Sequence, residues 1–190
     1  VIEKTDSVQS VLEIGCGRGT MGLYLAYFMG KNVSLLDNSE DAMAVAKEYF
    51  RKHQCKANYY VRDALNTGLF NASFDAIVSI GLAEHFRDPV QLFREQYRLL
   101  KEGGVMISLN IPQKFSVQEL FTLMRRTKKL CGLYKESVHR DYYRNNLTPE
   151  IYEKSAKVAG FQNISITHVA PFPLFVPVSP GIRPVGLHIK

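Results

Sequence analysis

The sequence predicts an α/β chain in which helices are wound on both faces of a mostly parallel sheet of about seven strands, the last of them antiparallel. Two observations carry that prediction. Short β-type runs alternate with helical patterns along the 190 residues, the order that builds a parallel sheet through crossover helices. The run at 74–80, FDAIVSI, is nearly continuously apolar, as a strand covered on both faces must be.

Taken in order, residues 11–14 form the first strand and run into a glycine turn. A helix over 20–28 follows and is ended by Gly30, a residue that accepts the left-handed backbone of a helix C-terminus. Residues 33–36 form the second strand. Ser39 caps a helix reaching His53, with Ala42, Ala44, Val45, Ala46, Tyr49 and Phe50 as its apolar surface. Residues 59–61 and 74–80 are the third and fourth strands. Asp88-Pro89 places a cap and a first-turn proline before a helix over 90–101. Gly103-Gly104 then turns the chain into the fifth strand, 105–109. Thr148-Pro149-Glu150 opens a helix that Gly160 closes, and residues 164–169 read as a sixth strand. The antiparallel last strand falls near 185–190, beyond the proline-rich stretch that starts at Pro171.

A bare connection in such a fold takes about two to six residues, yet residues 112–147 separate the fifth strand from the Thr148 helix. Part of this insertion, 116–130, is helix-like. It lies at the carboxyl edge of the sheet, where ligands bind in open α/β folds. A substrate lid is therefore expected there rather than a decorative surface helix. Residues 1–190 form one domain. The chain starts at Val1, not Met, and enters a core strand almost at once, so a missing N-terminal segment is expected.

With 46% hydrophobic and 22% charged residues, the composition is that of an ordinary globular protein. No apolar run reaches the roughly 20 residues of a membrane-spanning helix. Cys16, Cys55 and Cys131 are scattered and odd in number, which fits reduced thiols and a cytoplasmic setting. The net charge of +6 suits an anionic substrate, nucleic acid or a membrane surface, and equally a basic solubilising surface.

The chemistry concentrates in VLEIGCGRGT, residues 11–20. Glycines let the backbone turn sharply and approach a ligand without Cβ obstruction, and the helix beyond offers its N-terminal N–H groups to an anion. A dinucleotide pyrophosphate and the methionine end of S-adenosylmethionine both suit that arrangement. A dinucleotide fingerprint needs its third small residue at position 20, which is Thr20; the third glycine comes one earlier, at Gly19. Glu13 stands two residues before the first glycine, where a carboxylate suits a cationic sulfonium better than a pyrophosphate. The pattern E-x-G-C-G-x-G at the end of a strand resembles motif I of the class I, Rossmann-like, S-adenosylmethionine-dependent methyltransferases. The stretch from the fourth strand through Leu100-Lys101-Glu102-Gly103-Gly104 is similar to their type-11-like small-molecule group.

That resemblance covers roughly 11–109 and resumes weakly from Thr148. It implies a cofactor site of Glu13, Gly15, Cys16, Gly17 and Gly19, with Asp37 and Asn38 at the ribose. Asp63 would accept from the adenine amine, and the Ala64 N–H would meet a ring nitrogen. Ser79, Ile80 and Gly81 would line the transferred methyl group. S-adenosyl-L-methionine is then the cofactor and S-adenosyl-L-homocysteine the product.

His85 is the candidate general base, since imidazole titrates in the useful range and the residue follows the fourth strand. The alternative is a histidine that only packs or hydrogen-bonds under the insertion. Glu84-His85 also resembles half of an E-x-x-E-H metal pattern, but its first acid would fall on Gly81, so no metal is expected. The insertion interleaves Arg125, Arg126, Lys128, Lys129, Tyr134, Lys135, His139, Arg140, Tyr142, Tyr143 and Arg144. Such a mixture stacks on nucleic acid, wraps a small acidic or aromatic substrate, or solvates a helix. The favoured reading is methylation of an O, N or C atom of a small molecule. An RNA or protein methyltransferase, a non-catalytic methyltransferase-like subunit and an NAD-dependent oxidoreductase are the alternatives.

Overall fold

The computed structural model describes residues 7–110 and 143–167. Among them, five parallel strands form one sheet in the order β3-β2-β1-β4-β5. These are β1 (Ser10–Ile14), β2 (Asn32–Asp37), β3 (Ala57–Val61), β4 (Phe74–Ile80) and β5 (Leu100–Leu109). The helices are α1 (Thr20–Met29), α2 (Glu40–Lys52), α3 (Val90–Leu99) and α4 (Pro149–Ala159), and a 3₁₀ turn occupies Ala83–His85.

Alternation along the central strands builds two cores. Val11, Val33, Leu35 and Val78 pack on the α1–α2 side with Leu23, Leu25, Met43, Ala46 and Phe50. Leu12, Ile14, Leu36 and Ile77 pack on the other side with Leu92, Phe93, Leu99, Tyr152 and Ala156 of α3 and α4. Every member of β1 from Val11 to Ile14 is buried, Glu13 included.

Local chemistry sets the helix ends. Gly30 caps α1 in the left-handed region at φ 62°. The Ser39 hydroxyl accepts from the Ala42 N–H at 3.2 Å, as an N-cap should. The buried face of α2 is Met43, Ala46 and Phe50. Val45 and Tyr49, expected on the apolar face, are 50% and 38% exposed. Ala44 is exposed as well. The three-and-four spacing through Met43, Ala46 and Phe50 picks out one face of the helix, and Ala44, Val45 and Tyr49 fall off it.

The third helix was expected to reach residue 101. It ends at Leu99, and Leu100 already pairs with Phe74. The next sheet partners are Ala76 and Val105, so residues 101–104 bulge out opposite Asp75. Gly103, at φ 72°, supplies the turn within that bulge. The Asp88 carboxylate accepts from the Val90 N–H at 2.9 Å, so the expected capping chemistry is present with Pro89 at the cap.

Residues 164–167 of the expected sixth strand are described and carry no strand pairing. A strand exists through its ladder, and among the described residues no strand pairs with the outer edge of β5. The rest of that segment and the antiparallel strand near 185–190 lie outside the described residues. So does the expected insertion as far as residue 142; its last five residues, 143–147, are described. No helix among the described residues is long and apolar enough to cross a membrane.

Candidate functional site

Chain direction reverses its spread across the sheet between β1 and β4, because β2 and β3 lie on one side of β1 and β4 and β5 on the other. The loops at the carboxyl ends of β1 and β4 therefore flank the switch point, where the crevice that holds ligands lies in such sheets. Glu13, the Gly15–Gly19 loop, Asp37, Asp63 and the Ser79–Gly81 segment all fall at these carboxyl ends.

The glycine loop is built from backbone hydrogen bonds. Gly15 and Cys16 N–H groups donate to the Leu36 carbonyl at 2.8 and 3.1 Å. Gly17 has φ 51°, and a Cβ there would meet nothing within 4 Å, so the outer face of the loop is open. Gly19, at φ 68°, lies where a Cβ would come within 2.8 Å of a Leu35 methyl, so this turn sits directly on the core. Thr20 then begins α1.

Two carboxylates brace that loop from behind. Asp37 accepts from the Gly17 N–H at 2.8 Å through Oδ2 and from the Ser39 N–H at 3.0 Å through Oδ1. Glu13, 4% exposed, accepts from the Gly22 N–H at 2.8 Å and so satisfies a donor in the first turn of α1. Burial, reinforced by the nearby Asp37 charge, pushes the Glu13 carboxyl up to about 7 against the lowering effect of the Gly22 N–H. Burial and the same two carboxylates push the Cys16 thiol up to about 12.

Asn38 is exposed at the entry to α2. Asp63 and Ala64 follow β3, where the Asp63 carboxylate accepts from the Leu65 N–H at 2.9 Å. That loop is locked from below: the Glu95 carboxylate accepts from the Thr67 N–H at 2.9 Å and hydroxyl at 2.6 Å, and Arg98 donates to it at 2.6 Å. The Arg98 hydrogen bond lowers the Glu95 carboxyl to about 2.

At the end of β4, Ser79 is buried and bonded to the Ser108 hydroxyl at 3.2 Å, while Ile80 is partly exposed. Gly81 turns at φ 68°, and Leu82 lies against Gly15, where a Cβ would come within 2.9 Å of its methyl group. The structure thus brings the first glycine turn and the turn after β4 into contact. His85 closes the 3₁₀ turn, and its Nδ1 lies 2.7 Å from the Tyr143 carbonyl. A carbonyl only accepts, so Nδ1 carries the proton and Nε2 is the acceptor nitrogen of the neutral ring. Glu84 is 1% exposed, and its Oε2 has no hydrogen-bond partner among the described residues.

Sequence reasoning did not single out Asn145. It is 3% exposed and uses its whole amide. Its Nδ2 donates to the Ala83 and Phe86 carbonyls at 3.1 and 2.7 Å, and its Oδ1 accepts from the Leu147 N–H and the Tyr152 hydroxyl at 3.2 and 2.9 Å. Its backbone N–H donates to the Glu84 carbonyl at 2.7 Å. No sequence signal marks such a residue, because each partner carbonyl lies about 60 positions away.

Comparison with known proteins agrees with this geometry. The family model of the methyltransferase domain matches residues 11–104. The chain is 28% identical over 164 residues to a ubiquinone biosynthesis O-methyltransferase of Coxiella burnetii, a match covering 86% of this chain and 68% of that protein. Among solved structures, phosphoethanolamine N-methyltransferase 2 of Haemonchus contortus, in complex with phosphomonomethylethanolamine and S-adenosylhomocysteine, superposes with a TM-score of 0.62 at 28% identity. That match covers 85% of this chain and 35% of the other. A Pyrococcus horikoshii protein shares the fold, with a TM-score of 0.67 at 21% identity, covering 90% of this chain and 82% of the other. With the glycine loop, the Asp37 brace and the β1–β4 crevice in place, the chain belongs to the class I S-adenosylmethionine-dependent methyltransferases.

Proposed function

We propose that this chain transfers a methyl group from S-adenosylmethionine to a small-molecule acceptor by in-line displacement, with His85 taking the acceptor's proton. The observation that carries the reading is the His85 Nδ1 contact with the Tyr143 carbonyl at 2.7 Å, which leaves Nε2 as the basic nitrogen at the end of β4. The relatives act on compatible chemistry: one is named for O-methylation in ubiquinone biosynthesis and another for N-methylation of phosphoethanolamine.

The residues present fit the cofactor. Gly17 leaves the loop's outer face open. Asp37 uses one hydrogen bond on each oxygen, and a carboxylate has about four acceptor positions, so capacity remains for a ribose diol. Glu13, Gly15, Cys16 and Gly19 shape the methionine end, Asn38 flanks the ribose, Asp63 and Ala64 receive the adenine, and Ser79, Ile80 and Gly81 border the methyl. The sulfonium supplies both the methyl group and its leaving group. The chain's own task is then to hold the acceptor atom in line and to accept its proton at His85 Nε2.

Methyl transfer from labelled S-adenosylmethionine to a panel of phenols, catechols and amines tests the proposal. For a phenolic acceptor, His85→Gln is expected to lower kcat by about 100-fold or more, the usual contribution of a positioned base. Undiminished turnover in that variant overturns the base assignment. Binding of NAD in preference to S-adenosylhomocysteine, measured by calorimetry, overturns the transfer reaction itself.

A further inference from the structure

We infer that Asn145 is a positioning residue for His85, setting which imidazole nitrogen carries the proton. The inference rests on His85 as the base, but its geometry stands apart from that role. His85 ends a three-residue 3₁₀ turn, Ala83–His85, a short element that makes few hydrogen bonds of its own. Asn145 supplies what the turn lacks. It binds the carbonyls of Ala83, Glu84 and Phe86, the residues that bracket His85 on both sides.

The same residue fixes where the accepting carbonyl lies. Tyr143 is two positions before Asn145, so anchoring Asn145 against the turn places the Tyr143 carbonyl at His85 Nδ1. The Tyr143 ring also lies 5.7 Å from the Arg87 guanidinium, a second tie between the same two segments. Asn145 is held in turn by the Tyr152 hydroxyl on α4 and by the Leu147 N–H. Both donors and both acceptor positions of its amide are therefore engaged, which leaves a single orientation. An imidazole without such a partner exchanges its proton between the two nitrogens. Here the carbonyl selects Nδ1–H and presents Nε2 as the acceptor.

The test uses the whole chain with ¹⁵N-labelled histidine and long-range ¹H–¹⁵N correlation, with the His85 signals assigned by their loss in His85→Gln. The wild-type neutral ring is expected to show the Nδ1–H pattern. Asn145→Ala is expected to shift it to the Nε2–H form or to an averaged mixture. Asn145→Asp is nearly isosteric but replaces the two donors by an acceptor oxygen and adds a charge, and Asn145→Ser keeps a shorter polar side chain without that charge. These carry the test if the alanine variant does not fold, and the same shift is expected. Tyr152→Phe removes one bond to Oδ1, keeps both donors, and is expected to retain the Nδ1–H pattern. A wild-type ring in the Nε2–H form, or Asn145 variants with the wild-type pattern, overturns the inference. These readouts need no acceptor, so failure of the base assignment in turnover experiments remains distinguishable from failure of this one.

Discussion

The two halves of the crevice are held by different means. On the β1–β2 side the glycine loop is braced by backbone geometry and by carboxylates close in sequence: Glu13 and Gly22 are nine residues apart, Asp37 and Gly17 twenty. On the β4 side the His85 turn is braced by Tyr143 and Asn145, 58 to 62 residues away. The first half draws its braces from two strands and one helix. The second draws on α4 as well, through the Tyr152 hydroxyl. A site of this kind has one side specified locally and one side specified by the tertiary fold.

Substitutions should expose that contrast, and the largest effect belongs to the local half. Gly19→Val combines a left-handed backbone at φ 68° with a Cβ 2.8 Å from Leu35. Strain of about 1–2 kcal/mol and overpacking of about 1–3 kcal/mol predict a loss of about 2–5 kcal/mol in urea unfolding. Unchanged stability would mean that the loop is looser than its hydrogen bonds imply.

Next comes Glu13. Its carboxyl lies at about 7 in the folded chain against an ordinary 4.5, so the folded state holds the proton more tightly. The associated stability is fully present below pH 4.5 and is lost as pH rises through about 7. The shift corresponds to on the order of 3 kcal/mol. Glu13→Gln should flatten that slope in unfolding curves measured across the same range, while still accepting from the Gly22 N–H.

Glu95 gives the smallest effect, of opposite sign. Held at about 2 by Arg98, it contributes stability above 4.5 that disappears as pH falls through about 2. Because Arg98 is one-third exposed, the expected contribution is only about 1–2 kcal/mol. Glu95→Gln should remove this acid-side slope and loosen the Asp63 loop, read out by amide exchange at Leu65 and Thr67.

The same contrast explains what the sequence made readable. Strands β1 to β4 follow from apolar runs, and Gly30, Ser39 and Gly160 end or begin helices where capping chemistry says they should. The Gly15–Gly19 turn and its partner Asp37 are readable because backbone conformation and a short spacing encode them. The face of α2 differs from the expected one because Val45 and Tyr49 are apolar yet lie off the Met43, Ala46 and Phe50 stripe. The boundary between α3 and β5 was missed because the bulge opposite Asp75 is a property of pairing, not of composition. Asn145 was not readable at all. A polar residue in a connecting segment has a common identity and an uncommon environment, and only the folded chain supplies the environment.

The crossover at β1–β4 also separates contacts that depend on different lengths of chain. The family match ends at residue 104, whereas the braces on His85 begin at Tyr143. A truncation before Tyr143 would leave the glycine loop its Glu13 and Asp37 braces and strip the His85 turn of the hydrogen bonds that Tyr143 and Asn145 supply.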